Sequence, residues 1–238
     1  MEYLLLGLSV IITLAAQTYI STTYSKYSQV KSNNNLTGAE VARKILDNNG
    51  LNNIEVVEVR GYLSDHYDPT KKLVALSSNN YNSSSIAGVS VAAHECGHAI
   101  QDKENYSFMR LRASLVPIVN LSSYAGYIAI VLGIIMGALN FIWIGIALEV
   151  VILLFQLITL PVEFDASKKA LREVEKYNIL NNQEIKAGKT VLTSAALTYV
   201  ASVATTLIEI LRLIVVFGNR RDWSCHSITD KYLLLKIY

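Results

Sequence analysis

The sequence predicts a membrane-embedded α-helical protein with about four transmembrane helices and a small polar lobe of mixed α and β structure. Three observations lead to this fold class. Hydrophobic residues make up 52% of the 238 residues, charged residues only 17%, and the mean hydropathy is positive. Long apolar stretches with few charges alternate with polar ones, and each is long enough to cross a bilayer, which takes roughly 20 apolar residues. Two histidines four positions apart lie in the larger polar segment. We therefore expect one functional unit, partly inside and partly outside the membrane.

The charge and the cysteine content argue against a nucleic-acid-binding protein and against a fold held together by disulfides. The net charge is +2 and the chain has no dense run of Lys and Arg, so we expect no nucleic-acid partner. Cys96 and Cys225 lie far apart in the sequence and do not suggest a disulfide framework.

Residues 1–24 are predicted to form a transmembrane anchor. The stretch from Tyr3 to Tyr24 carries no charge. It lacks the basic start and the small-residue cleavage site of a secretory signal peptide, so we expect it to be retained.

Residues 25–112 are predicted to form the polar lobe. In "LTGAEVARKILDNNG", Thr37 and Glu40 have capping-box spacing and the apolar residues recur at helical intervals, which predicts a short amphipathic helix. "NIEVVEVRGYLSDHYDPT" alternates and ends in a Pro turn, and "KKLVALSSNNY" is a second strand-like run. This second run is either an edge strand that pairs with an extended substrate or an ordinary half-buried strand.

Residues 113–162 are predicted to form a transmembrane hairpin. Glu149 is the only charge between Ala113 and Val162, and "GALNF" interrupts the run near its middle. Two spans joined by a very tight turn fit this pattern.

The remaining chain divides into three further predicted segments. Residues 163–189 favour a polar helix, and residues 190–217 favour another transmembrane helix in which Glu209 and Arg212 are spaced to pair along one face. We expect the tail, residues 218–238, to be a mobile end rather than a second metal site, although it contains Cys225 next to His226.

The stretch "VSVAAHECGHAIQDKENY", residues 89–106, contains two of the four histidines. In a helix, which we expect over residues 85–101, His94 and His98 are offset by about 40° around the axis, so both imidazoles project to one side. Glu95 is turned by about 100° from His94 and can accept a proton from a water molecule beside the metal. This H-E-x-x-H arrangement is typical of zinc sites that hydrolyse their substrates.

Two residues next to the histidines, Cys96 and Gly97, also have predicted roles. Gly97 lowers helix propensity, and we expect it to permit the close approach of another backbone or helix. Cys96 faces away from the ligand side and is expected to be a small buried residue. A chance pair of helix histidines is the alternative interpretation, but the scarcity of histidine in this chain favours a metal site.

A two-histidine site needs a third protein ligand. Two predicted crossings separate His94 from the segment after the hairpin, so that segment returns to the same side of the membrane. Glu163 is the first acid after that return and Asp165 is the second candidate. Alternatively, Glu163 is a structural acid at the N-terminus of a helix, where the macrodipole favours it.

Several motifs in order resemble a known family. "LTGAEVARKIL", "GYLSDHYDP", "AAHECGHAIQ" and "LPVEFDASKKAL" are similar to the YugP-type family of neutral zinc membrane metallopeptidases, and more distantly to the HtpX and CAAX prenyl protease zincins. The resemblance covers the chain to about residue 221. It implies a zincin-like lobe of the gluzincin type, Zn²⁺ ligands at His94, His98 and Glu163, and Glu95 as the general base. Where the HtpX relatives have an Asp four residues after the glutamate, this chain has Ser167.

The function predicted from these residues is that of a membrane metalloendopeptidase, which hydrolyses peptide bonds with water activated at zinc. His66, in "SDHYDP" with Tyr67 behind it, is a candidate donor to the oxyanion, although a histidine beside a Pro turn is more often a local hydrogen-bonding residue. Two alternatives stay open: a non-catalytic zinc-binding membrane scaffold or regulator, and a site-2-type intramembrane protease.

Partners and location follow from the same patterns. We expect a protein or peptide substrate, including membrane proteins, and contact with the lipid bilayer; the oligomeric state cannot be predicted. Basic residues flank the apolar segments mainly on the side of the histidine pair, which predicts a cytoplasmic site in a bacterial plasma membrane.

Overall fold

The computed structural model describes residues 2–61 and 64–218. These residues form seven helices and three strands. In chain order the elements are α1 (Glu2–Ser28), α2 (Gly38–Asn48), β1 (Glu55–Val59), β2 (His66–Asp68), β3 (Leu73–Ser77), α3 (Ser78–Tyr81), α4 (Ile86–Lys103), α5 (Ser107–Met136), α6 (Leu139–Lys176) and α7 (Asn182–Gly218). Cys225, His226 and the rest of the predicted tail after Gly218 lie outside the described residues.

Among the described residues, four helices are long and apolar enough to cross a membrane, namely α1, α5, α6 and α7. This agrees with the predicted number of about four, whereas the division of the chain into six segments stays a prediction. One alternative is wrong: Glu163 is not an acid at a helix N-terminus, because α6 begins at Leu139 and continues unbroken through position 163 to Lys176.

The described residues fall into two compact units. The first, called the span unit, takes in the described parts of residues 1–13, 115–156 and 202–238. Gly133 on α5 lies so close to α6 that an added Cβ would be 3.0 Å from the Ile142 nitrogen, and small residues commonly permit such approaches between membrane helices. Arg212 donates from Nε to Glu209 Oε2 at 2.8 Å, which confirms the predicted pair.

The second unit, called the site unit, takes in Leu14–Ser114 and Leu157–Ala201. Its α2 begins with the predicted capping box: Thr37 Oγ1 accepts from the Glu40 amide and Glu40 Oε2 accepts from the Thr37 amide. The apolar face of α2 is fully buried and belongs to the same core as α4, so the amphipathic pattern is satisfied inside the unit.

The sheet of the site unit has the strand order β1-β3-β2, with β1 parallel and β2 antiparallel to β3. Because β3 has a partner on each side, the edge-strand prediction for "KKLVALSSNNY" is wrong. Burial gives the physical reason: Val74, Ala75 and Leu76 are fully buried, which is typical of a central strand covered on both faces.

α4 carries the histidine pair and confirms the helix predicted over residues 85–101. Ser85 caps it by accepting from the Gly88 amide at 3.1 Å. Small residues dominate the helix and most of it is buried, with Cys96 fully so, as expected. The expected close approach at Gly97 is also confirmed, because a Cβ there would lie 2.4 Å from the Ala166 carbonyl oxygen of α6.

This contact provides the first prediction. In Gly97→Ala the added methyl group must push α4 and α6 apart, and we expect the free energy of unfolding to fall by about 1–3 kcal/mol, as for other overpacked cores. Thermal unfolding in detergent measures the change. Gly7→Ala is the matched control, because it is also a helical glycine and has nothing within 4 Å of the added Cβ. Equal melting temperatures for Gly97→Ala and the wild type would contradict this prediction.

Candidate metal centre

Three side chains of the site unit converge on one point. Glu163 Oε2 on α6 lies 3.3 Å from His94 Nε2 and 3.7 Å from His98 Nε2 on α4. One ligand atom from each of the three residues lies within 4.8 Å of the other two. Both imidazoles project to one side of α4, as the four-residue spacing predicts. The missing side chain of Gly97 lets α6 bring Glu163 to them.

These residues fit a zinc ion. Two ligand atoms, each 2.0–2.1 Å from one tetrahedral zinc, are about 3.3 Å apart, close to both observed separations. Two imidazoles and one carboxylate also form a known ligand set of catalytic zinc, which leaves a fourth position for water or substrate. Asp165, the second candidate ligand, is engaged elsewhere: its Oδ2 accepts from Gln101 Nε2 at 2.9 Å and from Lys169 Nζ at 2.8 Å.

Each imidazole has a polar contact at its other nitrogen. Gln101 Oε1 lies 3.0 Å from His98 Nδ1, and Ser167 Oγ lies 3.2 Å from His94 Nδ1. If both oxygens accept from Nδ1–H, both Nε2 atoms are free to bind a metal. Ser167, four residues after Glu163, thus makes the kind of contact that orients a ligand.

Gln101 is held by two bonds from its amide nitrogen, to the Val162 carbonyl oxygen at 2.8 Å and to Asp165. It is fully buried and lies one helical turn after His98. The sequence prediction missed this residue, although its i, i+3 spacing from His98 is a local signal that places the two side chains together.

Gln101→Leu is therefore expected to weaken zinc binding by about 10-fold to 100-fold, the usual cost of losing a group that orients a metal ligand. Titration of the metal-free protein with zinc against a competing chelator measures the affinity. Gln183→Leu, at an exposed position on α7, is the control. An affinity equal to that of the wild type in Gln101→Leu would show that His98 needs no such support.

Glu95 lies beside the three converging side chains and lines the same cavity. It is buried, and this burial raises the pKa of its carboxyl group, although the nearby imidazoles of His94 and His98 oppose the shift. A carboxylate with a raised pKa accepts protons more readily, which suits a general base. Burial on its own would lower the pKa of His98, but contact with the Glu163 carboxylate raises it.

Two further residues at the site were missed by the sequence prediction. Arg112 Nη1 on α5 lies 3.7 Å from Glu163 Oε1, the carboxylate oxygen that faces away from the histidines. The Tyr199 side chain on α7 lines the same cavity as Glu163 and Glu95. Both residues come from elements remote in sequence, so no local spacing could have revealed them.

His66 lies apart from this group. It is exposed on β2, its Nδ1 is 2.8 Å from the Ser64 carbonyl oxygen, and it is not among the residues that line the cavity. Tyr67 is also occupied, because its hydroxyl donates to Asp102 Oδ2 at 2.7 Å. The predicted role of His66 as an oxyanion donor stays a prediction, and its position gives it no support.

A cavity of about 220 Å³ opens beside His94, Glu95 and Glu163. Its other walls come mainly from α1 and α7, with Val91 from α4, and are mainly aliphatic; they include Ile20, Val91, Val191, Leu192, Ala195 and Ala196. The arrangement can therefore hold an apolar side chain next to a metal ion and a buried base.

Comparisons with known proteins agree with this chemistry. The family model described as "Putative neutral zinc metallopeptidase" matches residues 2–218. The chain is 44% identical over 207 residues to the "Putative membrane protease YugP" of Bacillus subtilis (strain 168), covering 87% of this chain and 92% of that protein. No solved structure matches the chain significantly.

Proposed function

The chain belongs to this neutral zinc metallopeptidase family, and on that premise we propose that it is a zinc-dependent membrane endopeptidase. The observation that carries the proposal is the convergence of His94, His98 and Glu163 beside the buried Glu95. A structural zinc site needs no base, so Glu95 favours an enzyme over a scaffold.

In the proposed reaction His94, His98 and Glu163 hold the metal. Zinc, when bound, supplies a Lewis acid that acidifies water and polarises the carbonyl group of the substrate. Glu95 accepts the proton of the attacking water and then delivers it to the leaving amine, which completes hydrolysis of the peptide bond. Gln101 and Ser167 keep the two imidazoles oriented. Burial of the site limits competition from bulk water for these hydrogen bonds.

We propose that Tyr199 donates a hydrogen bond from its hydroxyl group to the carbonyl oxygen of the substrate as negative charge develops there. Its place in the cavity that Glu95 and Glu163 also line supports this role. Tyr199→Phe is expected to lower kcat by about 10²-fold, the lower range for loss of one oxyanion donor, with zinc content unchanged. Steady-state kinetics with zinc analysis measures both. His66→Ala is the parallel variant: if it lost the larger share of kcat, His66 rather than Tyr199 would be the donor.

We propose membrane proteins or hydrophobic peptides as substrates, because the metal group opens into an apolar cavity walled partly by α1 and α7. Cleavage of reconstituted membrane proteins should then exceed cleavage of soluble peptides of matched length. A preference for soluble peptides would contradict this substrate class.

We also propose that the site faces the cytoplasm of a bacterium. The basic residues predicted to flank the spans on that side all belong to the site unit, namely Lys26, Lys31, Arg110, Arg112, Lys168, Lys169 and Arg172. In a Cys225→Ser background, Lys71→Cys provides an exposed thiol in the same unit. Its reaction with a membrane-impermeant maleimide outside intact cells would contradict this orientation.

A further inference from the structure

A second groove lies between α6 and α7 in the site unit, with a volume of about 300 Å³. Each helix contributes four residues at the spacing i, i+3, i+4, i+7, which is one face over two turns. These residues are Phe164, Ser167, Lys168 and Leu171 on α6 and Lys189, Leu192, Thr193 and Ala196 on α7. We call this the α6–α7 groove.

The groove changes from apolar to cationic along its length. Residues 177–181 join the two helices, and so short a connection makes them antiparallel neighbours. Phe164 and Ala196 therefore lie at one end and Leu171 and Lys189 at the other, with Lys168 at nearly the level of Lys189. Seven residues of helix span roughly 10 Å. The groove thus has an apolar end and a cationic end, which complement the acyl chain and the headgroup of an anionic amphiphile.

Its two lysines are available to a ligand. Both are exposed, and neither forms an ion pair with any residue that the structure describes. Lys169, the neighbour of Lys168, contrasts with them: it is buried and paired with Asp165 at 2.8 Å and Glu104 at 3.0 Å. No carboxylate is among the described residues that line the groove, and the nearby Asp165 is paired with Lys169, so the groove itself is cationic.

We propose that the α6–α7 groove binds one anionic phospholipid, with its phosphate between Lys168 and Lys189 and an acyl chain against Phe164 and Leu192. The place of the groove in the sequence supports a lipid. Lys189 directly precedes the apolar run of residues 190–217, and the groove begins at Phe164, two residues after the apolar run of α6 ends at Val162. Basic pockets between helices at such boundaries are typical sites for anionic headgroups.

The groove adjoins the candidate metal centre. Ser167, Leu192 and Ala196 line both the groove and the cavity beside the metal group. Ser167 also contacts His94 Nδ1. A lipid in the groove therefore touches the residue that supports one proposed zinc ligand. The lipid site itself does not depend on the proposed peptidase activity.

Native mass spectrometry of the full chain in detergent tests the proposal. Phosphatidylglycerol and phosphatidylcholine with identical acyl chains are titrated onto the wild type, onto the double variant Lys168→Gln, Lys189→Gln, and onto a control double variant, Lys176→Gln, Lys186→Gln. The control removes the same charge from the same two helices outside the groove. We expect the wild type and the control to bind one phosphatidylglycerol tightly, and the groove variant to bind it about 10-fold to 30-fold more weakly, since each lysine near a lipid surface contributes about 1 kcal/mol.

Three results would overturn the proposal. The first is equal phosphatidylglycerol affinity in the groove variant and the control, and the second is equal affinity of the wild type for phosphatidylcholine and phosphatidylglycerol. The third is displacement of the lipid by millimolar inorganic phosphate, which would indicate a site for small anions. If the groove variant unfolds, the single variants Lys168→Gln and Lys189→Gln replace it. Each is expected to bind about fivefold more weakly than Lys186→Gln. Because no readout depends on peptide cleavage, failure here is distinct from failure of the proposed function.

Discussion

Glu95→Gln is expected to abolish peptide hydrolysis and to leave zinc binding intact. The amide has nearly the shape of the carboxylate but cannot accept the proton of the attacking water, and loss of a general base typically costs about 10²-fold to 10⁴-fold in rate. Because Glu95 is not among the three converging ligands, the metal should stay at one equivalent per chain. A pool of membrane-protein peptides, incubated with the detergent-purified chain and analysed by mass spectrometry, measures cleavage without a known substrate.

Glu55→Gln is the matched control, because it makes the same chemical change at an exposed position of β1. It should cleave like the wild type. Hydrolysis that survives Glu95→Gln at a wild-type rate would exclude the mechanism proposed above. Zinc without cleavage in both the wild type and Glu95→Gln would favour the non-catalytic scaffold.

Glu163→Ala is expected to remove the metal itself. The substitution leaves two imidazoles, one fewer than the three protein ligands of a catalytic zinc site, and also deprives Arg112 of its carboxylate partner. We expect zinc to fall from about one equivalent per chain to less than about a tenth after dialysis, with loss of all cleavage. Elemental analysis of the purified protein measures the metal.

Two further variants separate loss of a ligand from loss of the fold. Glu175→Ala, at an exposed position on the same helix, should keep its zinc. Glu163→Gln preserves the volume of the side chain and should lose zinc while its helical circular dichroism stays like that of the wild type. Stoichiometric zinc in a folded Glu163→Gln or Glu163→Ala protein would mean that the third ligand is another residue.

Local, periodic signals in the sequence predicted much of the fold. The four apolar helices, the Thr37 capping box and the α4 helix all depend on residues within a few turns of one another, where spacing determines geometry. Gly97 is another local signal. Because glycine lowers helix propensity, its place within a helix predicted the close approach of another backbone, and that backbone belongs to Ala166.

The remaining features of the fold depend on contacts between residues far apart in the sequence, and these contacts could not be predicted. The order of the three strands depends on contacts that no local pattern encodes, so the sequence left open whether β3 is an edge strand or an ordinary half-buried strand, and the structure places it at the centre of the sheet. The same limit applies to the site. Arg112 reaches Glu163 from α5 and Tyr199 lines the cavity from α7, and the apolar composition of both helices hides an isolated functional residue. His66 was chosen for its chemistry within a motif, and its exposed position on β2 could not be read from that motif.

Zinc K-edge X-ray absorption of the purified wild-type chain tests the central claim most directly. We predict one zinc per chain, with nitrogen and oxygen neighbours at about 2.0–2.1 Å and the more distant scattering of two imidazoles. Sulfur at about 2.3 Å among the nearest neighbours, scattering from fewer than two imidazoles, or a protein that binds no zinc would contradict a centre built from His94, His98 and Glu163.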